Sequence, residues 1–270
     1  MLQKTYSIYS DDLNDVQLFI EAGKNHIACW CKKTGEAMLR AFEFFQCDDY
    51  SAENFESLID GTRLYSRLLT MPVEHTHFFW NTTDVLCVPE EKNDPAFLKA
   101  NFDLMLGNST ETKIFSSTTE DCLVAWRIAD QQQYFAQQSF RGASFNNHYV
   151  PLLASLKAFN TNAVYLYFYP HFYTLVLFKQ GKLQFIQTIK YAVPDDVLYF
   201  VLNVCKQYSV ESDTPIFYGG FVADKSKLQD TLYQYLNELQ LMEVDESLFA
   251  SEGFKAYPLH YFLPYINYVA

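Results

Sequence analysis

The chain contains no apolar run that approaches the length of a membrane span; its longest hydrophobic stretches are strand- or helix-sized and broken by charge. Its opening segment, MLQKTYSIYSDD, lacks the apolar core of a signal peptide. Basic residues are scarce, with 20 Lys and Arg against 32 Asp and Glu and a formal net charge of −12. The densest basic spots, Lys32-Lys33 and Lys225-Ser226-Lys227, are too small to offset that charge against a phosphate backbone, which excludes nucleic acid as a partner. The six cysteines follow no regular spacing. Only Cys29-x-Cys31 and His75-x-His77 have the look of ligand pairs, too little for a zinc site, so no metal is expected. Unpatterned cysteines of this kind suit reduced core thiols in a cytoplasmic protein. There is no G-x-S-x-G, no Walker loop and no cysteine placed beside a histidine in a recognisable way.

What is present is a dense apolar and aromatic pattern. Hydrophobic residues make up 49% of the 270 positions and aromatics 17%, a composition that packs and does not stay disordered. Tyrosines and phenylalanines flanked by aliphatics on strands read as core or interface in preference to a base-stacking platform. The informative stretch runs from Val164 to Tyr208. Val164–Phe168 and Phe172–Phe178 are β-branched and aromatic runs separated by Tyr169-Pro170-His171. Lys179-Gln180-Gly181-Lys182 is a tight polar turn in which glycine supplies positive φ. Leu183–Tyr191 alternates with period two, as a half-buried strand does. Pro194 then suits a first helical position, Asp195 and Asp196 suit the positive end of a helix dipole, and VLYFVLNVCKQY is apolar nearly all round.

A fainter copy lies near the N-terminus. A shift of 146 positions, the offset of Lys179 from Lys33, places Lys33-Thr34-Gly35-Glu36 over the second turn and HIACWCK over FYTLVLF. The same shift sets Asp49 over Asp195 and a helix at Ser51–Leu69 over the second helix. A strand-like segment follows in each half, EHTHFFWNTTDVLCV and TPIFYGGF, and then another helix, opened by Asp94-Pro95 or by Asp224. Between the copies, Asn108–Thr119 reads as a Ser/Thr-rich loop, DCLVAWRIAD as a strand, and QQQYFAQQSF and YVPLLASLKAF as helices. The expected organisation is a first lobe over 1–107, an inserted βα segment of that lobe over 108–160, and a second lobe over 161–270. The tail FKAYPLHYFLPYINYVA is aromatic, proline-broken and nearly uncharged, so it must pack on the body or on a partner.

Two β-meander-plus-helix units with inserted βα elements resemble the actin-like ATPase superfamily, a duplicated ribonuclease-H-like α/β fold. The resemblance covers Val16 to Leu239 and rests on segments such as FYTLVLFKQGKLQFIQTIKY followed by PDDVLYFVLNVC. It is closest to the cytoplasmic actin-like proteins of type IV pilus assembly and type II secretion, and to an uncharacterised bacterial family placed in that superfamily. Working members cradle phosphates between two hairpin turns with an Asp-x-Gly core, the acid holding magnesium through water and the glycine admitting backbone N–H groups. By resemblance the first turn here is Glu21-Ala22-Gly23, an acid one methylene longer with glycine in register, although an ordinary hairpin explains it too. Under the 146-residue shift the second turn carries Tyr167 and Tyr169, and Pro170 removes an amide donor. The adenosine loop is matched by Gly219-Gly220, which a tight strand-to-helix turn also accounts for.

One loop lost, one altered and one present argue against ATPase or sugar-kinase turnover, since hydrolysis needs both phosphate loops and a metal-bound acid together. The expected role is a non-catalytic actin-like protein that binds an unknown protein partner as an interaction or scaffold module, with no cofactor, no direct membrane insertion and a homodimer as one possible state. The alternative is a switch that binds ATP and magnesium with little or no hydrolysis, using Glu21, Gly23, Gly219 and Gly220. An enzyme of unrelated chemistry on the same fold stays open, because fold alone never excludes it. His171 in the altered turn is its one conspicuous acid–base candidate, but a plain surface turn histidine is the favoured account of it.

Overall fold

A computed structural model describes residues 2–48, 50–156, 162–266 and 268. The chain divides into two compact units, Met1–Ala154 with Ser247–Phe254 and Tyr268–Ala270, and Ser155–Glu246 with Lys255–Asn267. The tail, expected wholly with the second lobe, therefore contributes to both. Asp49 lies outside the described residues, as do positions 157–159 of the helix expected from Tyr149.

Unit 1 opens with β1 (Gln3–Tyr9), then the meander β2 (Val16–Gly23), β3 (His26–Lys33) and β4 (Leu39–Gln46), helix α1 (Phe55–Tyr65) and β5 (Thr76–Asn81). The six-stranded sheet has the order β1-β4-β3-β2-β5-β9, where β9 is Ser144–Asn147. β2, β3 and β4 pair antiparallel, whereas β5 runs parallel to β2 and β9 parallel to β5. Between β5 and β9 sit β6 (Val85–Val88), α2 (Pro95–Leu106), β7 (Thr112–Thr118), β8 (Leu123–Ala129) and α3 (Asp130–Ser139); α4 (Tyr149–Leu156) follows β9. The small sheet β6-β8-β7 packs its own core of Leu86, Leu98, Phe102, Leu123 and Ala125. Asp94 caps α2 by accepting from the Phe97 amide at 2.8 Å, and Gly107 ends it at φ 82°.

Two sequence expectations change here. Thr112–Thr118 is a strand, not a loop: its mostly polar residues pair along β8 from Thr112↔Ala129 to Thr118↔Leu123. The insertion also does not lie between the copies. It lies inside the first, because β9 arrives after it to complete the first sheet.

Unit 2 repeats the pattern with fewer parts. β10 (Ala163–Tyr169), β11 (Phe172–Lys179), β12 (Lys182–Lys190), α5 (Pro194–Gln207), β13 (Ile216–Gly220), α6 (Lys227–Tyr235) and β14 (Leu239–Leu241) form the sheet β12-β11-β10-β13-β14. The meander is antiparallel, β13 is parallel to β10, and β14 is parallel to β13. Each unit thus has the ribonuclease-H-like strand order 3-2-1-4-5, with a helix after the meander. The Gly35 and Gly181 turns that anchored the alignment adopt φ 76° and 70°. The Asp196 carboxylate accepts from the Ala192 and Val193 amides at 2.9 and 3.1 Å, holding the start of α5. α6 begins at Lys227, capped by Ser226 rather than opened by Asp224.

The core of unit 2 joins Leu166, Phe168, Leu175 and Leu177 of the sheet to Val197, Val201 and Val204 of α5. Burying each such side chain contributes roughly 1.5–3 kcal/mol before chain entropy is set against it. The tail is a series of short 3₁₀ turns ending in α7 (Leu263–Ile266), and it buries Phe262, Leu263, Tyr265 and Tyr268. Among the described residues no helix is long and apolar enough to cross a membrane.

Candidate functional site

The β2–β3 and β10–β11 hairpins are the two turns that the resemblance matches to phosphate loops. Each turns in two residues, Lys24-Asn25 between paired Gly23 and His26, and Pro170-His171 between paired Tyr169 and Phe172. His171 takes φ 62° and is exposed, and nothing converges on it to make it an acid–base group.

Glu21, the residue in the acid's position, is fully buried. Its Oε1 accepts from His26 Nε2 at 2.9 Å and from Asn81 Nδ2 at 3.1 Å, while its Oε2 accepts from the Tyr268 hydroxyl. Burial alone would raise the Glu21 carboxyl, but the His26 hydrogen bond, the neighbouring His26 and His148 rings and the Tyr268 hydroxyl hold it below the usual carboxylate range. His148 is buried too; burial drops its imidazole to about 4, and its Nδ1 donates to the Trp80 carbonyl at 3.2 Å. Tyr268 is wedged edge-on against Trp30 and Phe79, with ring centroids at 5.0 and 4.7 Å. Its carbonyl accepts from Lys32 Nζ at 2.8 Å, and burial lowers that ammonium to about 8.

Gly23 has an ordinary negative φ, so its small size answers a steric need. A Cβ there would meet His26 Cε1 at 2.0 Å. The imidazole fills the space beside Gly23, and Glu21 turns no oxygen toward solvent for a metal-bound water. The residues of this loop do not fit a magnesium triphosphate.

In the second hairpin Tyr167 and Tyr169 are buried, with 1% and 2% exposure. Tyr169 packs edge-on against Tyr265 of α7 at 6.2 Å. The same segment covers Gly219-Gly220 at the end of β13. A Cβ on Gly219 would lie 2.5 Å from Leu263 Cδ1, and one on Gly220 would lie 2.2 Å from the Phe168 carbonyl oxygen. Gly220 also has φ 88°, so here glycine is required by both conformation and space. His260 Nε2 donates to the Val222 carbonyl at 2.9 Å and ties the tail to the loop.

The structure thus places Glu21 and Gly23 in unit 1 and Gly219 and Gly220 in unit 2, each enclosed by its own surroundings. His26, Asn81, His148, Tyr268 and Leu263 were not singled out from sequence; the one signal for the last two was a tail too apolar to stay in water. The Cys29-x-Cys31 pair lies buried in β3, and burial pushes the Cys31 thiol up to about 12. His77 stacks on Phe19 at 4.9 Å and bonds Ser144 Oγ at 2.9 Å. Among the described residues no three His, Cys, Asp or Glu gather as a metal site.

Two units of one strand order, each closed at its loops, define a chain of the actin-like ATPase fold, and solved structures bear this out. A Bacteroides thetaiotaomicron protein with that fold and unknown function aligns at TM-score 0.72 and 14% identity, covering 84% of this chain and 91% of its own. The PilM–PilN type IV pilus biogenesis complex supplies a second match, at TM-score 0.59, 14% identity and coverage of 93% and 96%. The ethanolamine utilization protein EutJ from Carboxydothermus hydrogenoformans is a third, at 0.52, 9%, 96% and 91%. No curated protein matches the chain in sequence. Residues 7–239 match the DUF3822 family, described as a protein of unknown function, and the chain belongs to that family.

Proposed function

We propose that this chain is a non-catalytic actin-like protein that works in the cytoplasm by binding a protein partner. The observation that carries the reading is the enclosure of Glu21 by His26, Asn81 and Tyr268, which commits every oxygen that would hold a metal to the protein's own donors. The fold supports a docking role as well, since a structural relative was solved as the PilM–PilN complex. The net charge of −12 speaks against nucleic acid, and self-association is a second way in which such a module would act.

The test is a thermal-shift titration with magnesium-ATP. A ligand that binds only the folded state raises the melting temperature with concentration, by about 2.7 kcal/mol of stabilisation at a hundredfold excess over Kd. The expected result is no shift at millimolar nucleotide and no phosphate release. A concentration-dependent rise would instead favour the second reading, a nucleotide-binding switch. That reading draws its support from Gly219-Gly220 at the end of β13, where a working member holds adenosine.

A further inference from the structure

The duplication shows what the outer edge of such a meander accepts. In unit 1 the edge strand β4 is closed by β1, which pairs antiparallel from Gln3↔Gln46 to Tyr9↔Ala41, and β4 is buried at six of its eight positions. In unit 2 the counterpart is β12, and among the described residues no strand pairs with its outer edge. β12 is nine residues long, and only Thr188 in it is buried. Proteins guard such edges with proline, a bulge or charges along the strand. Here the run Leu183–Ile189 carries neither proline nor charge, the lysines stand only at the ends, and the one ladder irregularity leaves Gln184 as an extra residue on β12, where β4 carries Arg40 in the same place and still accepts β1 as far as Ala41.

We infer that the outer edge of β12 is a strand-acceptor site, filled by one extended segment of a protein partner that adds antiparallel, as β1 does on β4. This rests on the interaction-module reading above. Main-chain hydrogen bonds supply the affinity in such additions, and alternate side chains supply the selection. The inward residues of β1 suggest the pattern wanted: Tyr6 and Ile8 alternate with exposed Thr5 and Ser7. Its anchor does not carry over. Lys4 and Tyr9 are held by the buried Glu43, and the residue of β12 at that ladder position is the neutral Gln187. The segment therefore alternates apolar with small polar residues and places an acid, not a lysine, opposite exposed Lys182. A second copy of β12 suits the edge less, because antiparallel pairing about Ile186 sets Lys182 against Lys190 at both ends.

The probe is an acetylated eight-residue peptide of alternating valine and threonine with a glutamate at each end. Its control is the same peptide N-methylated at alternate residues. Hydrogen exchange of the full chain is read by NMR. Successive N–H groups of a regular strand point to opposite edges, so the expected result is at least tenfold slower exchange at alternate amides of Phe185–Ile189 with millimolar peptide. β1 and β4 should be unchanged and the methylated peptide inert. Unaltered exchange in β12, or equal slowing by both peptides, overturns the proposal. Slowing that grows with protein concentration without peptide assigns the edge to a second copy and overturns it as well. A thermal shift with magnesium-ATP, by contrast, sinks the functional reading while leaving β12 protection by the peptide as a separate result.

Discussion

The β2–β3 and β10–β11 hairpins are filled by different chemistry. In unit 1 the acid survives as Glu21, and the surrounding chain supplies donors to it from His26, Asn81 and Tyr268. In unit 2 the equivalent positions hold Tyr167 and Tyr169, both buried, with Tyr169 edge-on against Tyr265. A buried carboxylate is tolerated only when its lone pairs are engaged, because leaving the charge unpaired costs several kcal/mol. A tyrosine hydroxyl is neutral and costs far less to bury than a carboxylate, so unit 2 needs no equivalent of the ionic cluster. The difference teaches that a hairpin of this fold can be filled either by a buried charge with its donors in place or by neutral aromatic side chains.

Four experiments bear on that contrast. The largest effect is expected from Tyr167→Glu, which returns an acid to unit 2 without its donors and should lower stability by about 4 kcal/mol in urea unfolding. A loss under 1 kcal/mol would mean that the second loop still offers polar partners. Gly220→Ala comes next, at about 3 kcal/mol, since positive φ strain and collision with the Phe168 carbonyl add. Gly23→Ala should cost less, because the group that must give way there is a side chain, the His26 ring. Equal losses at the two glycines would break this distinction between backbone and side-chain obstruction.

Acid should weaken unit 1 selectively. His148 is held neutral, with its imidazole lowered to about 4 from an ordinary 6.5, so the unfolded chain binds the extra proton first and stability falls as pH drops from 6.5 toward 4. Full development of that shift is worth on the order of 3 kcal/mol. Glu21 acts in the same direction at lower pH: its stabilisation is present above the ordinary carboxyl range and lost as pH falls through its depressed value. Trp30, Trp80 and Trp126 all lie in unit 1, so tryptophan fluorescence reports its unfolding. A midpoint that stays flat between pH 6.5 and 4 would remove the titrating cluster from the account. The smallest effect is assigned to Tyr268→Phe, about 2 kcal/mol, because it deletes one hydrogen bond to a charged acceptor and keeps the ring packing.

Much of the architecture could be read along the chain. The 146-residue shift carries β3, His26–Lys33, onto β11, Phe172–Lys179, residue for residue, because matched strand length and a matched glycine turn are local features. β7, β9 and β14 were missed for a common reason: they are short or polar segments that become strands only by pairing with β8, β5 and β13. The candidate site was legible as positions and not as surroundings. Glu21, Gly23, Gly219 and Gly220 could be named from two turns, whereas nothing near Glu21 in sequence announces a tyrosine 247 residues away.

By itself the sequence determined the period-two strands, the capped helices and the repeat that joins them, since each depends on residues within a few positions of one another. Tertiary structure alone decided that Glu21 is sealed inside a polar cluster, that Leu263 and Phe168 crowd the paired glycines, and that, among the described residues, no strand closes the outer edge of β12 as β1 closes that of β4. Those outcomes depend on which distant segments come to lie side by side. Burial, donor satisfaction and steric fit exist only between the groups that folding brings together.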